Sequence, residues 1–440
     1  MSIFFKKLRI KRRLIATLAE MHFFGNPSKK LKIVGVTGTN GKTTVATLLY
    51  KIASALGYKA GLIGTVENII AGEKIVHAEK APQTTPDPIQ LNKLLKEMVK
   101  KGCKYVFMEV SSHALDQNRV KGINFTGGIF TNLTHDHLDY HKDLENYFKA
   151  KKKFFEMLPK NTFALSNIDD DHGGVMLDNI KADKFFYGFE GEKDIVDFYG
   201  KILKLDFSGL ELEFNGPARP HETSGAGGEI IKSKLLGKFN AYNLLSVWGA
   251  SKLLKFDLIK VKGILENIEP PRGRFENYIS KSGVIVIVDY AHTPDALEKV
   301  LLTVKEIKQK KGLPALPDGR EQAGRIISVF GCGGDRDTTK RSKMGFIGAS
   351  LSDIAIFTSD NPRSEDPDKI INEMTNNLSK DESKKVITIS DRRLAIQESV
   401  KLANEGDIIL CAGKGHEDYQ EIKGVKNHFD DMEEYRKILD

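Results

Sequence analysis

A strand running straight into a glycine loop and then a helix limits this chain more than anything else in it. LKIVGVT (31–37) is apolar and β-branched, GTNGKTT (38–44) follows, and TTVATLLYKIASALGY then repeats its apolar residues at helical spacing. Glycines at 38 and 41 let backbone N–H groups come close to phosphate oxygens, and the helix N-terminus adds positive potential. Lys42 is placed to reach outer phosphates and the Thr43 hydroxyl to ligate Mg²⁺. Thr39, Asn40 and Thr44 complete the loop. The strict phosphate-loop pattern wants glycine at position 36, where this chain has Val36, with Gly35 and Gly38 to either side. The loop predicts a nucleoside triphosphate and magnesium. It does not say what the energy is used for.

The rest of the chain repeats the same alternation. Strand-like runs stand at YVFMEV (105–110), GGIFTNL (127–133) and TFALSNI (162–168), with helical patterns at 88–101 and 143–158. Such alternation predicts an α/β domain with a mainly parallel sheet. Residues 195–236 hold short β-like pieces and the loop NGPARPHETSGAGGE, and NAYNLLSVWGASKLL then predicts a helix. EPPRG (269–273) reads as a linker. Beyond it VIVIVDY, RIISVFG, DIAIFT and DIILCAG begin a second α/β series. The expected domains are therefore a short basic segment at 1–30, a central domain at 31–271 and a C-terminal domain at 272–440. Loops 215–228 and 312–324 read as surface insertions.

A net charge of +8 over 440 residues favours anionic ligands without calling for nucleic acid. Three cysteines in no metal-type spacing argue for a reducing compartment and against a disulfide framework, and the expected location is the cytoplasm. Cys332 and Cys411, in apolar strand ends beside glycines, read as packing residues and not nucleophiles. MSIFFKKLRIKRRLIATLAEM lacks a signal-peptide core, and no stretch is apolar enough to span a bilayer. It reads as a solvated surface helix or as a basic helix lying on a membrane.

Glu109 ends a predicted strand, where folds of this kind bind ligands, and its carboxylate can hold Mg²⁺. TNLTHDHLDYH (131–141) suits a transition-metal site or a polar loop with capping residues equally well. NYFKAKKKFFEML is an amphipathic helix whose lysines read most simply as a solvated face. One of them, carbamylated by CO₂, would become an anionic oxygen ligand, which a cationic lysine cannot be.

Together TGTNGKTT, TTPDP, MEVSSHALDQNRV, TNLTHDHLDYH, GKFNAYN, PRGRFE, DYAHTPD, FGCGGDRD, DNPR and GKGHEDYQ resemble the Mur ligase family, most closely its UDP-N-acetylmuramoyl-tripeptide synthetase branch. The resemblance runs from about Phe24 to the C-terminus. It implies a phosphate-loop central ATPase domain and a Rossmann-like C-terminal domain. It implies that Gly38, Thr39, Asn40, Gly41, Lys42, Thr43 and Thr44 bind ATP, with Asn243, Arg274 and Asp289 at adenine, ribose or phosphate. Lys42, Glu109, His137 and Lys151 would be the catalytic set. Two Mg²⁺ ions would be held by Thr43, Glu109, His137 and a carbamylated Lys151. Thr84, Thr85, Ser111 and Arg119 match positions that hold the muramoyl peptide. Arg336, Asp360, Asn361, Arg363, Gly413 and Glu417 match the pocket for the incoming amino acid.

In this family DNPR marks enzymes that add meso-diaminopimelate, and the chemistry agrees. A guanidinium at 363 can bind the distal carboxylate bidentately and Glu417 can pair with the distal ammonium. The implied reaction joins meso-diaminopimelate to UDP-MurNAc-L-Ala-D-Glu through an acyl phosphate, in peptidoglycan synthesis and so in cell-wall biogenesis, cell shape and division. The C-terminal domain would close on the central one about a hinge near Arg272. A monomer is expected, with small-molecule substrates and no nucleic-acid partner.

Typical relatives carry a further domain that grips UDP, and LAEMHFFGNPSKKLKIVGVTG resembles only its tail end. Four readings compete with a ligase that holds UDP weakly or through a partner, one of them that this sequence is a truncated form of a longer chain. The acceptor is a carboxylate not linked to UDP, as in folylpolyglutamate synthetases, which lack this DNPR and DYAHTPD pairing. The chain is an archaeal type of cell-wall peptide ligase. Or it is a non-catalytic nucleotide-binding scaffold, which predicts erosion at Lys42, Glu109, His137 or Lys151, and all four are present.

Overall fold

The computed structural model describes residues 24–75, 84–134, 136–190, 195–215, 228–309 and 324–440. The basic segment 1–23 and nearly all of the two expected insertions lie outside them. The chain divides into two compact units: Met1–Lys204, Leu210–Lys234 and Lys238–Glu269 form one, and Leu205–Gly209, Leu235–Gly237 and Pro270–Asp440 form the other.

The elements that build the first unit are β1 (Lys32–Thr37), α1 (Lys42–Ala55), β2 (Ala60–Ile63), β3 (Tyr105–Glu109), β4 (Gly127–Phe130), α2 (Leu144–Glu156), β5 (Phe163–Asn167), β6 (Asp183–Gly188) and α3 (Lys238–Leu253). The strands stand in the order β2–β3–β1–β4–β5–β6, every neighbouring pair parallel. All but the first residue of β1 are buried, as a strand covered on both faces requires. Short strands at Asn68–Ile70 and Glu73–Lys74 extend the β2 edge antiparallel. Phe198–Asp206, Gly209–Asn215 and Glu229–Ser233 extend the β6 edge, so the short β-like pieces expected between 195 and 236 are three more strands of one sheet.

This order positions a site. From β1 the chain goes out to β2, returns to β3, then crosses to β4 on the other side of β1. The carboxyl ends of β1, β3 and β4 therefore flank a switch point, where such sheets bind ligands. The phosphate loop, Glu109 and the segment after residue 130 all emerge there.

The second unit repeats the plan with β7 (Ile285–Asp289), α4 (Pro294–Gln309), β8 (Ile326–Phe330), α5 (Lys340–Leu351), β9 (Ile354–Phe357), α6 (Pro367–Thr375), β10 (Val386–Thr388), α7 (Arg392–Leu402), β11 (Ile408–Ala412) and α8 (Asp431–Leu439). Strand order is β7–β11–β8–β9–β10, all parallel, with Glu276–Ile279 antiparallel at the β7 edge. Val286, Val288, Ile327, Val329, Ile356 and Ile409 form its core with Ile396 and Tyr435. Arg392 and Asp431 meet there without solvent exposure, Nε to Oδ1 and Nη2 to Oδ2 both at 2.7 Å. Arg392 Nη2 also donates to Ala412 O at 3.2 Å, which ties α7 and α8 to the end of β11. A hairpin of Tyr419–Ile422 and Val425–His428 follows β11.

Candidate functional site

The phosphate loop is built so that no side chain fits inside it. A Cβ on Gly38 would lie 1.9 Å from Thr131 Oγ1, and one on Gly41 2.5 Å from Asn243 Oδ1. Gly41 caps α1 at φ +84°, a left-handed conformation that glycine takes without penalty. The chain after β4 braces the loop. Thr39 N donates to Asn132 O at 2.8 Å, Asn40 N to Asn132 Oδ1 at 2.9 Å, and Thr131 Oγ1 to Asn40 O at 2.6 Å. From α3, Asn243 lies against Gly41 and donates to Asn240 Oδ1 at 3.0 Å.

Two lysines meet on one carbonyl of this loop. Gly38 O accepts from Lys42 Nζ at 2.9 Å and from Lys151 Nζ at 2.7 Å. Lys42 also donates to Thr39 O at 2.7 Å. Lys151 comes from α2, whose buried residues Tyr147, Phe148, Ala150, Lys151, Phe154 and Phe155 form one helical stripe. It is 1% exposed, and its ammonium lies 4.2 Å from the Tyr147 ring centroid. Burial, and secondarily the charge of Lys42, hold its amine well below the usual lysine range, with Asp136 opposing. The lysines flanking it behave as a solvated face: Lys149 pairs with the exposed Glu145, and the exposed Lys153 reaches toward the largely buried Asp116.

Glu109, 1% exposed, lies across the loop. Its Oε2 accepts from Thr43 Oγ1 at 3.0 Å and Thr65 Oγ1 at 3.1 Å, and its Oε1 from Thr65 N at 2.7 Å. Its backbone carbonyl accepts from Thr85 Oγ1 at 2.9 Å, which begins a chain through the muramoyl-peptide candidates. Ser111 N donates to Thr85 Oγ1 at 3.0 Å, Arg119 Nη1 to Thr85 O at 2.7 Å, and Thr65 Oγ1 to Thr84 Oγ1 at 3.1 Å. His137 has a left-handed backbone at φ +54° and is exposed, its ring 4.8 Å from that of His113 and 6.1 Å from that of Tyr147. His141 is instead buried against Ser112 Oγ at 3.0 Å. Among the described residues no group of three or more His, Cys, Asp or Glu is placed to hold a metal ion. His135 lies outside them.

The second unit holds the other candidates in two neighbourhoods. In the first, Asp289 Oδ2 accepts from Phe275 N at 2.8 Å, and the Arg274 guanidinium lies 4.8 Å from the Tyr290 ring centroid. Burial raises the Asp289 carboxyl to about 6 against the opposing charge of Arg274. His416 packs on Tyr290 at 4.8 Å, its pKa pushed down to about 3 by burial first and then by Arg274 and Arg272. The turn at Gly273 presses on Gly415, since a Cβ there would stand 2.1 Å from the Gly415 carbonyl carbon.

In the second, the loops after β8, β9 and β11 converge. Asn361 Nδ2 donates to Glu417 Oε2 at 2.7 Å, and Asn361 Oδ1 accepts from Lys414 Nζ at 3.2 Å and Glu421 N at 2.9 Å. Lys414 has no exposed surface and stands 3.6 Å from both Asp360 Oδ1 and Glu417 Oε2. Asp360 Oδ1 is buried without a hydrogen bond. Burial, then Asp360, raise the Glu417 carboxyl, with Lys414 opposing. Arg363 takes φ +52°, its N donating to Glu421 O at 3.1 Å and its O accepting from Lys423 N at 2.7 Å. Its Nη1 donates to Gly334 O at 2.8 Å, and its Nε lies 3.7 Å from Glu421 Oε2. Gly413 lets the chain pass close to Asp360, while Arg336 is exposed and outside this network.

Sequence reasoning missed Thr65, Asn132 and Tyr147 around the phosphate loop, and Lys414 and Glu421 around Asn361 and Glu417. Asn132, Lys414 and Glu421 stand inside or next to the motifs, so adjacency was the available signal. Cys103, Cys332 and Cys411 are free and buried, and burial raises the Cys332 thiol to about 12, which suits packing. No helix among the described residues is long and apolar enough to cross a membrane.

Two family models together match most of the chain. The Mur ligase middle domain matches residues 36–251, and the Mur ligase glutamate ligase domain matches residues 273–415. A UDP-N-acetylmuramoyl-L-alanyl-D-glutamate–2,6-diaminopimelate ligase of Parabacteroides distasonis is 50% identical over 417 residues, which cover 95% of this chain and 79% of the relative. Its counterpart in Clostridium botulinum is 41% identical over 436 residues, 98% of this chain and 83% of the relative. Among solved structures, a UDP-N-acetylmuramoyl-L-alanyl-D-glutamate–2,6-diaminopimelate ligase aligns at a TM-score of 0.63 and 32% identity, covering 97% of this chain and 82% of that one. A folylpolyglutamate synthase of Thermotoga maritima aligns at 0.65 with 16% identity over 92% and 90% of the two chains, a likeness of fold alone.

Proposed function

The chain belongs to the Mur ligase family, and from that premise we propose that it is an ATP-dependent ligase joining meso-diaminopimelate to the D-glutamyl carboxylate of UDP-MurNAc-L-Ala-D-Glu in peptidoglycan synthesis. The observation that carries this reading is the cluster of Asn361, Glu417, Asp360 and the buried Lys414 in the second unit, with the Arg363 guanidinium held beside it on Gly334 O and 3.7 Å from Glu421 Oε2. Asp360, Glu417 and Glu421 are three carboxylates against the two cations Lys414 and Arg363, which leaves a net charge of −1 for an incoming ammonium. Arg363 supplies the planar donor pair that a distal carboxylate needs, and lysine has no group to match it.

The terminal carboxylate oxygen of the muramoyl dipeptide attacks the γ-phosphorus of ATP. The bond to the bridging oxygen breaks, and ADP leaves. The neutral diaminopimelate amine then attacks the acyl phosphate carbonyl, its nitrogen gives up one proton to solvent, and inorganic phosphate departs with the carbonyl–oxygen bonding pair. Such phosphoryl transfer is catalysed mainly by positioning and charge neutralisation. Lys42 and the loop amides supply both, and Thr85, Ser111 and Arg119 orient the acceptor. A loop with no room for a Cβ at Gly38 or Gly41, beside the hard oxygens of Thr43 and Glu109, fits a magnesium ion. Thr43, Glu109 and His137 would hold it, and when bound it neutralises phosphate charge.

For Lys151 the reading is a carbamate. Burial favours the neutral amine, the form that adds CO₂ with loss of one proton and leaves an anionic oxygen donor. We propose a cytoplasmic location, in keeping with the three free, buried cysteines.

The test supplies ATP, magnesium and UDP-MurNAc-L-Ala-D-Glu with either meso-diaminopimelate or lysine, and follows phosphate release. Release with diaminopimelate is expected, with kcat/KM for lysine lower by roughly 10²-fold or more. Release only with a folate and glutamate would end this reading, and Lys42→Ala should abolish turnover.

A further inference from the structure

Arg363 holds an unusual backbone on a glycine platform, so something must fix both. Gly333 and Gly334 form the platform. Arg363 Nη1 donates to Gly334 O at 2.8 Å, and a Cβ on Gly333 would stand 3.0 Å from that same nitrogen. The two loops press backbone to backbone: Gly334 N donates to Asn361 O at 2.9 Å, and a Cβ on Gly334 would lie 2.0 Å from Pro362 O. Ser364 Oγ donates to Asp335 Oδ1 at 2.6 Å.

One ion pair spans this seam. Arg341, on α5 and without exposed surface, donates from Nη2 to Glu365 Oε1 at 2.8 Å and from Nη1 to Glu365 Oε2 at 2.9 Å. The same Nη2 reaches Gly333 O at 3.3 Å, and Glu365 Oε1 also accepts from Asp335 N at 2.5 Å. The pair thus grips the platform at Gly333 and Asp335, and grips the Arg363 loop two residues beyond Arg363. Arg341 first, then the Asp335 amide, hold the Glu365 carboxyl down to about 2, so it stays ionised at working pH. Glu373, on α6 outside both loops, takes the remaining contact with Nη1 at 2.8 Å.

We propose that the Arg341–Glu365 pair is the positioning device for Arg363 and so a determinant of which amino acid this ligase accepts. The inference rests on the diaminopimelate reading above. Bidentate recognition fails when the guanidinium is displaced by an ångström, and glycines cannot resist that displacement themselves. Neither residue is a catalytic residue, since each acts through Arg363.

Glu365→Gln keeps the shape and removes the charge. It should raise KM for meso-diaminopimelate roughly tenfold or more. KM for ATP and for the muramoyl dipeptide should stay within about twofold, and the preference for diaminopimelate over lysine should narrow. Arg341→Lys, a point charge that cannot bridge both oxygens, should fall between this variant and the parent. Glu373→Gln removes the other acid from the same guanidinium and should leave KM for diaminopimelate unchanged. Melting temperatures are read beside the kinetics. An unchanged diaminopimelate KM in both Glu365→Gln and Arg341→Lys would overturn the proposal, as would a parallel rise in all three KM values. A parent enzyme that releases no phosphate with diaminopimelate would instead overturn the functional reading beneath it.

Discussion

Lys151 and His416 are single side chains whose chemistry is set by what surrounds them. Lys151 faces the core because it lies four residues after Tyr147 and three before Phe154, on the buried stripe of its helix. Lys151→Arg keeps a cation and a donor for Gly38 O but cannot form a carbamate. Ligase activity should fall roughly 10²-fold, and added bicarbonate should raise the parent's rate in decarbonated buffer but not the variant's. An active, bicarbonate-insensitive parent would remove the carbamate from the account. For His416 the folded value of about 3 lies below the ordinary 6.5. The unfolded chain therefore takes up a proton that the folded chain refuses, so the stability His416 contributes is complete above about pH 6.5 and is lost as pH falls toward 3. Asp289 has the opposite sign: raised to about 6, its contribution is present at low pH and lost as pH rises through that value. His416→Asn should thus gain on the parent as pH falls from 7 to 4.5, by up to a few kcal/mol, read as a widening gap in urea midpoint.

At the scale of elements, the strand–loop–helix unit depends on Gly41 for two separable reasons. Its φ of +84° strains any other residue, and a Cβ there meets Asn243 Oδ1 at 2.5 Å. Gly57, with φ +86° and nothing within 4 Å of its Cβ position, carries the strain alone. Both alanine variants should therefore lose about 1–3 kcal/mol in urea unfolding. Only Gly41→Ala should also weaken nucleotide binding, roughly tenfold, by direct titration. This unit was legible because β-branched residues, glycines and helical spacing all agree there. The register of α2 was legible too, though not which lysine would meet the Gly38 carbonyl, because that backbone comes from another segment. The strand Ala60–Ile63 was not legible: it is four residues long and contains Gly61, which packs under Met98. The hairpin 419–428 was hidden by its charges, and it serves Arg363 through backbone groups that no side-chain pattern announces.

At the scale of the whole molecule, the cluster of Asn361, Lys414 and Glu417 draws on well-separated loops because β8, β9 and β11 are neighbours that end on the same side of their sheet. The sequence order of strands was readable and their spatial order was not, so the motifs named the parts of this cluster without assembling them. The same separation governs stability. Each unit closes its own core: one contains Ile33, Val106, Phe130 and Phe154, the other Val286, Ile327, Ile356 and Ile409, with no residue in common. A chain with two cores need not unfold in one step. Phe154 and Ile409 are both fully buried, so truncating either to alanine should cost about 3–5 and 2–5 kcal/mol respectively. Differential scanning calorimetry of the full chain should resolve two transitions, Phe154→Ala lowering one and Ile409→Ala the other. A single transition lowered by both substitutions would mean that the two cores melt as one cooperative body, and the units would then be divisions of contact density without independent stability.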